Sequence, residues 1–378
     1  MAAIDVAPEV EPGRPDSIFH WVVPSTECGC VHGGKGRNRT TRPDNIAGGL
    51  PAETKKLLDD LTTTPNECAE DVDRAPGAPC SSKKMIGAIT EFIQEKHPDA
   101  STGVKSAHLP TATTTDAATV RGAAAALGCD SESCVITHPS LRSFIVDQNI
   151  MSRRDIKQEL DLRYKAAGPR DNVNLLSNVH LDETLRRWAR VFPEFFPCPF
   201  AMIDFDRNGD YLGRVDLPKI LRGEVSANLG PGIGHVRRKF TCFGCIVNTD
   251  VSSGPGKHWV ELFVDARPPP GEPWTVEYFN SAGNPPPKAI VKWMERTRDD
   301  LARYRATLPG CEDKKKCPVE SISVTSVDHQ DSQTECGVYT LYYIRRRLEG
   351  TSYKFFFEEF VPDAAMTAFR AHIFRHTK

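Results

Sequence analysis

Between residues 200 and 326 the chain repeats one pattern. Short extended segments alternate with strong turn formers, and helices of amphipathic spacing follow. The extended segments are expected at 200–205, 239–247, 258–264, 275–279 and 321–326. Pro255-Gly256 and the run Pro268-Pro269-Pro270-Gly271 punctuate them. Helices are expected at 288–308, 337–348 and 363–374, the last with Met366, Phe369, Ile373 and Phe374 as its apolar stripe. Strands and helices in this proportion can bury their apolar faces only as an α+β fold, a sheet covered by helices.

The segments before this region read differently. Residues 1–84 are rich in Gly, Pro, Thr and charge and read as irregular, with one short helix expected at 51–61. From Met85, Ile86, Ile89, Phe92 and Ile93 recur at helical spacing, an Ala-rich helix spans 117–127, and further helix is expected at 141–146 and 150–164. Residues 85–171 therefore form a helical N-terminal domain, with a linker near Ala166-Ala167-Gly168-Pro169. In the domain at 172–378, Ser177-Asn178 caps a helix whose face carries Leu181, Leu185 and Trp188.

Composition removes several classes. The 48 basic and 50 acidic residues leave a formal charge of −2, so the chain as a whole is not an obvious polyanion binder. The basic runs Arg237-Arg238-Lys239, Lys314-Lys315-Lys316 and Arg345-Arg346-Arg347 read as solvated surface, and nucleic acid as a partner is unsupported. No apolar run nears the ~20 residues a membrane helix needs. The N-terminus carries no secretory signal, so the 12 cysteines are expected as reduced thiols, metal ligands or catalytic groups.

One cysteine has a context of its own. Cys336 precedes a helical segment, where the dipole and unpaired N–H groups favour thiolate, and Gly337 beside it lets a substrate backbone approach. A buried structural cysteine is the plain alternative. His258 opens an extended segment after a Gly-Pro-Gly turn and can act as base toward a thiol. Asn280 ends the following segment, where an amide can hold the imidazole tautomer, and Gln330, six residues before Cys336, can donate to an oxyanion. Gln333 competes for that last role. A surface histidine, a turn asparagine and a solvated glutamine are the plain readings of these three.

His-Trp at a strand start, Asn at the next strand's end, then Gln, five residues and Cys-Gly form a specific order. It resembles the clan that includes SUMO-specific proteases and the adenovirus protease. It is similar above all to the virion-maturation proteases of large DNA viruses, such as that of African swine fever virus. Asn248-Thr249-Asp250 before Gly256-Lys257-His258-Trp259, and Val361-Pro362-Asp363 followed by Met366, Arg370 and Phe374, extend the resemblance over about 172–378. It implies a papain-like, adenovirus-protease-like core with a central mixed sheet flanked by helices. It implies nucleophile Cys336, base His258, orienting Asn280 and oxyanion donor Gln330, with Trp259 walling a narrow substrate channel. The substrates implied are proteins with Gly-Gly-X-like sites, viral core or capsid proteins, cut in the virion and at cytoplasmic assembly sites, with no cofactor. A SUMO- or ubiquitin-like tag as substrate is the second enzymatic reading. A scaffold on an inactive fold, its cysteines binding zinc or nucleic acid, is the non-enzymatic one.

The remaining motifs weigh less. Cys242-Phe243-Gly244-Cys245 needs a second pair to hold zinc. Cys28/Cys30 with His32, Cys129/Cys134 and Cys311/Cys317 are possible partners, but unconnected thiols are the expected reading. The run Asp204 to Asp210 resembles the start of a calcium loop without its closing Glu and reads as a turn. Gly33-Gly34-Lys35 is a candidate self-cleavage site.

Overall fold

The computed structural model describes residues 67–98, 112–169 and 174–375. The segment 51–61, the Gly33-Gly34-Lys35 site and Cys28, Cys30 and His32 lie outside them.

Among the described residues, five helices form the N-terminal unit: α1 (Lys83–Lys96), α2 (Ala112–Leu127), α3 (Glu132–Thr137), α4 (Pro139–Asp147) and α5 (Arg153–Arg163). Their starts are set by local chemistry. Ser82, Ser131 and Ser152 accept from the backbone amide three residues on, and Asp155 completes a capping box with Ser152. Met85, Ile89, Phe92, Val135, Leu141, Phe144, Ile145 and Ile156 join in one buried cluster, with Phe92 edge-on to Phe144.

Two sequence expectations change here. Cys68 and Cys80 lie in that same cluster, and Cys68 bridges to Tyr164, so residues 67–82 pack with the helices although they are irregular. And six cysteines are paired rather than reduced: Cys68–Cys80, Cys129–Cys134 and Cys311–Cys317, with Cα atoms 5.0, 5.6 and 5.4 Å apart. That spacing is within a disulfide's reach. Two of the pairs weighed as zinc ligands are therefore cross-links. Turns bring each couple together over 12, 5 and 6 residues, a proximity the linear spacing did not reveal.

The second unit is built on a mixed sheet. Its strands are β1 (Phe195–Pro197), β2 (Ala201–Met202), β3 (Cys242–Asn248), β4 (Trp259–Asp265), β5 (Trp274–Phe279) and β6 (Val319–Val324). The order is β1-β3-β4-β5-β6, with β2 also on β3. β3, β4 and β5 run antiparallel to their neighbours in that trio, while β1, β2 and β6 pair parallel. The expected 200–205 segment keeps only the two residues of β2, because Phe205 already begins a helical turn ended by Gly209 at φ 85°. The Pro-rich insertion forms the loop between β4 and β5 without disturbing their register, Glu261 against Phe279. Buried Arg305 ties that loop by donating to the carbonyls of Pro268, Pro269 and Glu272.

Helices cover both faces. On one, α6 (Asn178–Val191) and α8 (Cys336–Leu348) pack together; on the other lies α7 (Lys288–Arg305). Gly244 on β3 leaves room for the Phe195 ring and faces Ile344 of α8, whereas its neighbour Phe243 stacks on Trp293 of α7. Residues 336–344 are buried without interruption, as expected for a central helix. The axial position of α8 is pinned by polar contacts. Glu277 of β5 accepts from Tyr343 Oη at 2.8 Å and from Arg347 Nε and Nη2 at 2.8 and 2.7 Å, and Asp265 accepts from Arg347 at 3.0 Å. Buried charges require such full pairing. This corrects the reading of Arg345-Arg346-Arg347 as solvated: Arg347 is core, and Arg345 lies over Trp188 and Phe192 while pairing with Glu70.

Candidate active site

The residue Cys336 opens α8, and it is 1% exposed and not disulfide-bonded. The pinned register of α8 fixes where this end lands. A Cβ on Gly337 would lie 3.3 Å from Trp259 Cδ1 and 3.1 Å from Leu176 Cβ. Glycine at 337 thus lets α8 sit close to Trp259, the residue after His258, where a Cβ would be crowded. Trp259 is held by its Nε1–H, which donates to the Leu176 carbonyl at 3.2 Å, and by Phe200 edge-on at 6.3 Å.

The loop that presents His258 is closed by its own polar groups. Asn248 Oδ1 accepts from the amides of Asp250 and Lys257, Asp250 accepts from the amide of Gly256 and from Lys257 Nζ, and Thr249 N–H donates to the His258 carbonyl at 2.8 Å. Gly256 supplies the positive φ of 93° the turn needs.

His258 Nε2 lies 2.8 Å from Asn280 Oδ1. The proton's position follows from the network. Asn280 Nδ2 donates to Tyr278 Oη at 3.1 Å and to the Asn284 carbonyl at 3.2 Å. A carbonyl accepts only, so the amide nitrogen must face it and the oxygen must face His258. Nε2 is then the donor, and in the neutral ring Nδ1 carries the lone pair. The Asn280 oxygen also accepts from the Ala282 amide at 3.0 Å.

Gln330 is buried on the loop before α8, and Gln333 is exposed. The Gln330 Nε2 donates to the Ser332 carbonyl at 2.6 Å. The loop itself is hung on the start of α9 (Asp363–Ile373): Asp363 Oδ2 accepts from the amides of Asp331 and Ser332, and Oδ1 from Tyr339 Oη. Buried Arg370 of α9 pairs with Glu335 at 2.9 Å, so the carboxylate flanking Cys336 is compensated, and donates to the Asn174 carbonyl.

A family model described as the Ulp1 protease family, C-terminal catalytic domain, matches residues 242–377. A cysteine protease of African swine fever virus (isolate Tick/Malawi) is 40% identical over 319 residues, covering 84% of this chain and 98% of the relative. From a South African tick isolate of that virus, a protein named as a SUMO-1 cysteine protease matches to the same extent. The crystal structure of the African swine fever virus protease superposes with a TM-score of 0.65 at 39% identity, over 85% of this chain and 99% of that one. The chain belongs to the Ulp1 family of cysteine proteases.

In this cysteine protease the six residues singled out in the sequence occupy one region: His258 with Asn280, Trp259 with Gly337 beside Cys336, and Gln330 on the loop leading to it. Sequence reasoning gave no role to Leu176, Tyr278 and Asn284, which hold Trp259 and Asn280, and quoted Asp363, which holds the Gln330 loop, only within the resemblance at the chain's close. They are ordinary residue types at no special spacing, so only the fold reveals these roles. The CxxC pair Cys242 and Cys245 lies within β3, both buried, and burial pushes both thiols up, so neither is a reactive thiolate. No cluster of three metal-ligating side chains occurs among the described residues.

Proposed function

We propose that the protein is an endopeptidase with a Cys336–His258–Asn280 triad and a Gln330 oxyanion donor, cutting Gly-Gly-X-like sites in viral core or capsid proteins during particle assembly. The observation that carries the reading is the 2.8 Å contact of His258 Nε2 with an Asn280 oxygen whose orientation is locked by its own amide donors. That leaves Nδ1 as the base. It takes the Cys336 proton, giving thiolate and imidazolium. The thiolate attacks the scissile carbonyl, and the developing oxyanion receives the Cys336 N–H and a Gln330 Nε2 proton. Nδ1–H then protonates the leaving amine, leaving a thioester. Water, deprotonated at Nδ1, hydrolyses the thioester and returns Cys336 to the thiol. The close approach of Trp259 to Gly337 beside Cys336, where a Cβ on Gly337 would already be crowded, supports a narrow passage and small residues before the cut. Kinship to a viral cysteine protease supports structural proteins of a virion as substrates, met in particles and at assembly sites.

A second reading, removal of a SUMO-like tag, is favoured by the name of the African swine fever virus relative. Wild type and Cys336→Ala, incubated with Gly-Gly-X peptides and with a SUMO-1–fluorophore conjugate, separate the two. Peptide cleavage that Cys336→Ala abolishes is the expected result. Release from SUMO-1 alone would replace the first reading by the second, and cleavage surviving in Cys336→Ala would overturn both.

A further inference from the structure

Ser281 follows Asn280 at the end of β5 and is wholly buried. Its hydroxyl donates to Gln330 Oε1 at 2.7 Å. Its carbonyl accepts from the amides of His329 and Gln330, at 2.7 and 3.1 Å. One residue therefore grips Gln330 by side chain and backbone together.

A primary amide presents a donor end and an acceptor end of nearly equal size. Turned by half a rotation, Gln330 would offer oxygen where the oxyanion forms, a repulsion in place of a hydrogen bond. The Ser332 carbonyl opposes that turn, and the Ser281 hydroxyl, which can donate or accept, anchors the other end of the amide once its sense is set. The Ser332 carbonyl, at 2.6 Å, accepts only and so holds the nitrogen. The opposite end then needs a donor, and the Ser281 hydroxyl is the donor that meets it. Burial keeps water from competing for either bond.

The geometry points to Ser281 as a positioning residue for the oxyanion donor: its hydroxyl fixes the Gln330 amide with one Nε2 proton on Ser332 and the other left for the substrate. This rests on the reading of Gln330 as that donor. Asn280 and Ser281 are consecutive, so two neighbouring peptide units set both the base and the oxyanion donor in one rigid frame. Without the hydroxyl, Oε1 is buried with its donor lost, and the amide gains the freedom to turn.

The test uses the full chain as wild type, Ser281→Ala, Gln330→Ala and the double variant, turning over a fluorogenic Gly-Gly-X peptide with kcat and KM resolved. Gln330→Ala is expected to lower kcat about 10²-fold to 10³-fold, the range for losing one oxyanion donor. Ser281→Ala is expected to lower kcat about 10-fold to 100-fold with KM within about twofold, and to add nothing on top of Gln330→Ala. A merely structural role would instead lower kcat in both backgrounds, and that additive result overturns the proposal. An unchanged kcat in Ser281→Ala, with Gln330→Ala impaired, overturns the proposal alone. An unchanged kcat in Gln330→Ala removes the oxyanion reading and the proposal with it. Should Ser281→Ala not fold, Ser281→Cys fills the site with a weak donor and must show the same kcat loss and the same non-additivity.

Discussion

At the scale of single residues, the site depends on amides whose two ends are told apart by backbone carbonyls. Asn284 and Ser332 offer only lone pairs, so the nitrogens of Asn280 and Gln330 turn toward them and the oxygens turn away. A carboxylate at position 280 would keep an acceptor for His258 but lose the donor that meets Asn284. Asn280→Ala removes the acceptor itself, so the His258 tautomer is no longer specified. Its kcat on a peptide substrate is expected to fall on the order of 10²-fold, the scale of general-base catalysis. A steady-state assay in which Asn280→Ala keeps wild-type kcat would contradict the assignment. The types His, Asn, Gln and Cys and their order were legible in the sequence. The carbonyls that orient them were not, because every residue has one.

Among the elements, the junction between β5, the Gln330 loop and α8 is held by a buried imidazole. His329 Nδ1 accepts from the Val361 amide at 3.2 Å, and its ring sits among Phe279, Tyr339, Phe356 and Phe360. Burial pushes its pKa down to about 4, against about 6.5 in an unfolded chain. Between those values the unfolded state binds more protons, so this residue's contribution is present above pH 6.5 and is lost as pH falls toward 4. Denaturant unfolding of wild type and His329→Gln should therefore show a stability gap that is largest at pH 7 and shrinks toward pH 4. A gap that stays constant over that range would refute the neutral buried histidine. Element types and most boundaries here followed from period and turn residues: Ser177 does cap α6, and β4, β5 and α8 begin within one residue of expectation. The 200–205 strand shrank because Phe205 is drawn into the core as part of a helical turn, a tertiary override of a local extended preference.

For the whole molecule, the irregular stretch after Glu67 joins the helical unit to the helices of the sheet unit. Glu70 accepts from Arg345 of α8 at 2.8 Å, and Asp71 binds Arg190 of α6, which also donates to the carbonyls of Asp161 and Leu162. The Cys68–Cys80 bond closes the loop that carries both carboxylates. Replacing both cysteines by Ser is expected to cost about 2–4 kcal/mol of unfolding free energy, since the cross-link limits the unfolded chain. Thermal melts with and without reductant check this: the wild type should lose stability on reduction by more than Cys68→Ser/Cys80→Ser does. Equal responses would show that the cross-link does not clamp the loop.

By itself the sequence determined the α+β class and the helical character of the described residues from 85 to 163, and it pointed to a set of residues able to carry thiol chemistry, because hydrophobic period, turn formers and residue type are local properties. What only the tertiary structure decided is who meets whom. It paired six of the described cysteines expected as thiols, buried Arg347 out of a run that read as surface, and enclosed Gln330 while leaving Gln333 exposed. The disulfides depend on turns that bring their Cα atoms within reach, and the places of Arg347 and Gln330 depend on the low-dielectric interior around the packed sheet and α8. Within it an unpartnered polar group is costly, so partners are fixed by proximity in space rather than by spacing along the chain.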